Sequence, residues 1–85
     1  MKVLISNYTF DKTAKTVTFT DINPVLLNRV FIIVNATSNI IIYNFADPTR
    51  GGIVATNVLT LTWDTTAMAN TDKLLIYYDD GTTPA

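Results

Sequence analysis

Two short runs, each apolar on both faces, dominate the middle of the chain. Residues 29–45 read RVFIIVNATSNIIIYNF, with apolar runs at 30–34 and 40–43 separated by Asn35-Ala36-Thr37-Ser38-Asn39. Each run is short for a helix, and both are rich in Ile and Val. β-Branched side chains lose χ1 freedom in a helix and pack well on a pleated surface. The stretch therefore predicts a central β-hairpin. Strict alternation sets Val30, Ile32 and Val34 against Phe31 and Ile33, then Ile41, Tyr43 and Phe45 against Ile40 and Ile42.

The flanking sequence repeats the strand pattern at spacings of about 8–12 residues. Val3-Leu4-Ile5 and Tyr8-Thr9-Phe10 read as one first strand, bent near Ser6-Asn7. Asp11 opens a polar turn, where its carboxylate can bond the backbone two residues on. Residues 15–20 alternate, with Val17 and Phe19 on one face and Thr16, Thr18 and Thr20 on the other, and form a hairpin with the first strand. Pro24 breaks the pattern, and residues 25–28 lead the chain across the core. Residues 46–52 are the clearest loop: Pro48 presets a turn, and Gly51-Gly52 are expected to supply positive φ. Residues 53–55 form a short strand, Thr56-Asn57 a tight turn, and 58–63 a strand with Leu59, Leu61 and Trp63 inward. Asp64 is expected to cap a helical turn over 64–68. Residues 73–78 form the last strand, Asp79-Asp80-Gly81 end it, and 82–85 read as a loose tail. The expectation is an all-β chain of one domain, 1–81: a small antiparallel β-sandwich, Ig-like or jelly-roll-like, of about seven short strands.

A strand with one wet face should alternate. Those around Val17 and Leu59 do; those around Ile32, Ile41 and Leu75 do not. One sandwich core covers one face of each sheet, so their second face needs another cover. Residues 25–27 and 64–68 are one candidate, and a neighbouring subunit is the other. Charged residues make up 15% of the chain, against about 25% in typical soluble domains, which favours the subunit. A homo-oligomer or multi-copy assembly is expected, with Ile40, Ile42, Tyr43, Asp47, Pro48, Arg50 and Tyr77 as candidate interface residues.

The available chemistry is sparse. The sequence has no His, Glu, Gln or Cys, which removes His-based triads, thiol nucleophiles and the common zinc sets. No enzyme activity, metal or cofactor is expected. Asp79-Asp80-Gly81 with Asp64 or Asp72 could in principle serve calcium, but Asp and Gly at strand ends read first as turn formers. Asn35-Ala36-Thr37 matches the glycosylation pattern and reads as a turn. Tyr43, Tyr77, Tyr78 and Trp63 could form a glycan-stacking platform, although aromatics among apolar neighbours more often belong to cores and interfaces. A net charge of -1 without like-charge blocks points to neither nucleic acid nor an anionic membrane. No apolar run suits a membrane-spanning helix or a signal-peptide core. The expectation is a soluble intracellular product, or one that leaves the cell without a conventional signal.

Four segments carry a family resemblance: YTFDKTAKTVTFTD (8–21), NRVFIIVNATSNIIIYNFADPTRGG (28–52), NVLTLTWDTTAMANTDKL (57–74) and IYYDDG (76–81). The most specific parts are IIYNFADPTRGG and DTTAMANTDKLLIYYDDG. Together they resemble a small all-β module of virion structural proteins in tailed bacteriophages. The resemblance implies a capsid decoration or cement protein, or a connector subunit, partnered by other capsid, tail or fibre proteins. It implies assembly in the host cytoplasm, a location in the virion, and no catalytic residue. The alternative is a module of a tail or fibre that binds carbohydrate or another host-surface ligand.

Overall fold

The computed structural model describes residues 2–81 and shows two four-stranded antiparallel sheets. The first contains, in order across the sheet, β1 (Lys2–Ile5), β8 (Leu74–Asp79), β4 (Val30–Asn35) and β5 (Ile40–Asn44). The second contains β2 (Tyr8–Asp11), β3 (Thr16–Phe19), β7 (Val58–Leu61) and β6 (Gly52–Ala55). The sheets share one core. Val17, Phe19 and Leu59 of the second and Ile33, Ile42 and Ile76 of the first are fully buried in it. The rings of Phe19 and Tyr78 meet across the two layers at 6.3 Å. This is the expected small β-sandwich.

There are eight strands rather than seven among the described residues, because the bend at Ser6-Asn7 is a corner between layers. β1 pairs with β8, setting Leu4 opposite Tyr77, whereas β2 pairs with β3, setting Phe10 opposite Val17. Two bulges alter the expected faces of the central hairpin. The β4–β8 register shifts between Val30 and Ile32, and the β4–β5 register shifts between Ile33 and Val34. A bulge sets two residues against one and breaks period 2. Val30 and Ile33 are therefore both buried, as are the consecutive Ile42 and Tyr43.

Local polar bonds set the loops. Asp11 Oδ1 accepts from the amides of Thr13 and Ala14, as expected of that turn. The 64–68 segment is not helical. Asp64 Oδ1 accepts from the Thr66 amide and hydroxyl, while the buried Thr65 hydroxyl donates to the Lys12 carbonyl at 2.7 Å. The Asp64 bond is the expected cap, and the Met68 amide closes one turn on the Thr65 carbonyl at 2.9 Å, but the turn is not continued into a helix. Gly51 has φ −94° and Gly52 lies in β6, so neither has the expected positive φ. Asn35 is fully buried. Its Oδ1 accepts from the Thr37 and Ser38 amides, and its Nδ2 donates to Asp72 at 2.8 Å. The glycosylation-like motif is thus a turn clamp with its amide turned inward. Val25 belongs to the core, and Leu27 and Met68 pack against it. The expected 82–85 tail lies outside the described residues.

Candidate interaction surface

Strand register allows both outer faces to be read row by row. On the second sheet, one row runs Thr9, Thr18, Val58, Ala55, and another runs Asp11, Thr16, Thr60, Ile53. Four of these eight residues are threonine, whose hydroxyls can bond water, and Ile53 is the one large apolar side chain exposed among them. On the first sheet, one row runs Leu4, Tyr77, Ile32, Asn44, and the next runs Leu75, Val34, Ile41. Phe31 and Phe45 extend this surface. The Phe45 amide donates to the Phe31 carbonyl at 3.0 Å, and their rings meet edge to face at 6.2 Å. None of these side chains joins the shared core.

The exposure is large. Phe45 is 69% exposed, Leu4 54%, and Ile41 and Tyr77 39% each. Lys2, Phe31, Ile32, Phe45 and Tyr77 line an open groove of about 490 Å³. Its wall is aromatic and aliphatic, with one ammonium at the end. The segments that could have covered this face, 25–27 and 64–68, instead bring Val25, Leu27 and Met68 to the shared core.

The predicted contact residues divide into three groups. Tyr77 lies on the open face. Ile42 and Tyr43 are core residues, and Ile40 packs against that core. The β5 bulge is the physical reason, and it removes Ile42 and Tyr43 from any contact surface of the folded chain; burial also pushes the Tyr43 phenol pKa up. Asp47, Pro48 and Arg50 form a separate cluster. Asp47 precedes the 3₁₀ turn Pro48–Arg50 and accepts from the Thr49 amide. Hydrogen bonds from the Thr49 hydroxyl and amide, then from Arg50, hold the Asp47 carboxyl below its usual pKa. The Arg50 guanidinium bonds Asp47 at 2.9 Å, donates through Nε to the Ile41 carbonyl at 2.8 Å, and lies 4.3 Å from the centre of the Trp63 ring.

Arg50 therefore occupies a backbone acceptor of β5, an outer strand of its sheet, and covers a face of the one tryptophan. Arg50→Ala is expected to lower stability by about 1–2 kcal/mol through the lost backbone bond and ring contact. The exposed ion pair adds little to that figure. Arg50→Lys should restore only part, because an ammonium cannot bond, pair and stack at once. Thermal melts followed by Trp63 fluorescence measure both effects; an unchanged Tm for Arg50→Ala would remove the role assigned to this cluster.

Leu4, Phe31, Ile32 and Phe45 are the contact candidates that sequence reasoning missed. Parity could not have found Phe45, because Tyr43 shares it and is buried, and the β5 bulge falls between Ile41 and Phe45. The acidic side chains considered for calcium are engaged in turns instead: Asp64 holds Thr66, and Asp72 holds Asn35 and the Ala69 amide. Among the described residues, no group of three metal-ligating side chains comes together. A second groove, lined by Ser6, Tyr8, Phe10 and Asp72 among others, is largely polar. The Tyr8 hydroxyl there already accepts from the Leu74 amide. A scan against family models and searches of curated proteins and of solved structures return no match. The resemblance to phage virion modules thus rests on the quoted segments alone.

Proposed function

We propose that this chain is a non-enzymatic structural subunit that docks through the outer face of the β1-β8-β4-β5 sheet into a multi-copy protein assembly. The observation that carries the reading is the contrast between two outer faces of one molecule. One is half threonine, with Ile53 its one exposed large apolar side chain, and the other is rows of Leu, Tyr, Ile and Val flanked by Phe31 and Phe45. A contiguous apolar patch of this extent stands at the upper end of what monomers expose, and such patches are often functional. The family resemblance supplies the kind of assembly: the virion of a tailed phage, built in the host cytoplasm, with this chain as decoration, cement or connector.

The host-glycan alternative calls for an exposed tryptophan or a pair of exposed tyrosines in a shallow groove. Arg50 covers Trp63, Tyr43 and Tyr78 are buried, and Tyr77 is the one tyrosine on the open groove, beside Phe31, Ile32 and Phe45, which offer a sugar no hydrogen-bonding side chain. These features favour docking over sugar stacking. Co-sedimentation with intact particles tests the proposal. Wild type should sediment with particles and resist a high-salt wash, because apolar contacts are not screened. Phe45→Asp should abolish that binding while leaving the fold intact. Salt-labile binding, or full binding by Phe45→Asp, would overturn the reading.

A further inference from the structure

The docking face carries properties that select its occupant, and this step rests on the reading above. We propose that the first partner on the β1-β8-β4-β5 face is a second copy of this chain, seated face to face about a two-fold axis.

Three observations support the choice. The first is area. The exposed parts of Phe45, Leu4, Ile41 and Tyr77, with those of half-buried Phe31, Ile32, Val34 and Leu75, amount to about 400–700 Å² at roughly 150–250 Å² per large side chain. A specific pair buries about 1,200–2,000 Å² in total. Two copies stacked face to face would bury about twice the area of one face, which reaches the lower limit for a specific pair.

The second is charge. By register the face carries one Lys and one Asp, Lys2 and Asp79, as cross-strand neighbours. The face thus presents both signs side by side, and a two-fold copy brings an Asp79 for each Lys2.

The third is shape. Phe45 stands proud on the same surface that carries the 490 Å³ groove. An isologous contact needs projection and hollow on one face, because each copy supplies both.

The other self-pairing available to the sheet is through its edge. The free side of β1 carries no backbone or side-chain hydrogen bond among the described residues, so two β1 strands could join. Four residues offer far less area than a four-stranded face, and face stacking is favoured on that ground. The outer face of the second sheet exposes one large apolar side chain, Ile53, among threonines, too little apolar area for a third copy to stack on. The association therefore closes at two.

Sedimentation velocity of the purified chain tests this. Wild type should pass from monomer to dimer with a dissociation constant on the order of 1–100 µM, as a minimal interface implies. Phe45→Asp and Leu4→Lys should each weaken it at least about tenfold. Ile53→Asp, at a site 73% exposed on the other sheet, should leave it unchanged. Circular dichroism confirms that each variant is folded. A wild type that stays monomeric at millimolar concentration overturns the second-copy proposal. So does a dimer lost in Ile53→Asp and retained in Phe45→Asp. A monomeric wild type whose particle binding is still lost in Phe45→Asp would leave the docking face standing without this occupant. A monomer whose particle binding is indifferent to Phe45→Asp would remove both.

Discussion

Ile42→Asp is expected to unfold the domain, whereas Ile41→Asp should leave it folded and impair the proposed docking. The two residues are neighbours in β5, yet Ile42 is fully buried between the sheets and Ile41 is 39% exposed on the outer face. Truncating a buried Ile costs about 2–5 kcal/mol through lost transfer energy and the remaining cavity. A carboxylate in the same place must also be desolvated or protonated, which costs several more. A chain of 85 residues has a total stability of about 4–13 kcal/mol. Ile42→Asp exceeds much of that range. At Ile41 the carboxylate projects into water and the core is untouched, so the expected change is within about 0.5–1 kcal/mol. Circular dichroism and amide dispersion in proton NMR separate the outcomes. A cooperatively folded Ile42→Asp would contradict the placement of the β5 bulge. An unfolded Ile41→Asp would show that the outer face is needed for folding itself, and would take that residue out of the docking argument.

The sandwich was legible where alternation was clean. Val17 and Phe19 point inward and Thr16 and Thr18 outward because β3 has no bulge, and the same holds for Leu59 and Leu61 in β7. It was also legible that the strands around Ile32, Ile41 and Leu75 carry more apolar surface than one core can use. Which of those residues face outward was not legible. A bulge shifts parity without leaving a signature in residue type, and two bulges fall in the central hairpin. The same limit split the first strand. Val3-Leu4-Ile5 and Tyr8-Thr9-Phe10 look alike locally, and only long-range pairing with β8 and with β3 assigns them to different sheets. The 64–68 segment makes the expected Asp64 cap and one closed turn, and stops there. An Asp-Thr-Thr start suits a helix cap, and the Thr65 hydroxyl ties the turn to the Lys12 carbonyl.

Gly51-Gly52 shows how a correct identification of glycine can carry the wrong reason, and it sets the second large effect. Both residues read as suppliers of positive φ, and neither adopts it. Gly52 is required for space. A Cβ there would lie 2.8 Å from Leu59 Cδ1 and 2.8 Å from the Thr60 carbonyl oxygen. Leu59 is fully buried and Thr60 belongs to the paired strand β7, so neither can yield without moving the core or the ladder. Gly52→Ala should therefore cost about 3 kcal/mol, the upper end of overpacking effects. For a domain of this size that lowers Tm by roughly 12–24 °C. Gly51 is the internal control. Its φ is ordinary, and an added Cβ would stand 3.7 Å from the Pro48 carbonyl oxygen and 3.9 Å from the Thr62 hydroxyl, both normal contacts. Gly51→Ala removes backbone freedom from the unfolded chain and should raise stability by about 0.4–1 kcal/mol. Adjacent glycines thus receive the same substitution with opposite signs. Equal destabilisation of both in thermal melts would return the pair to a shared conformational role and would overturn the close approach of β6 to β7.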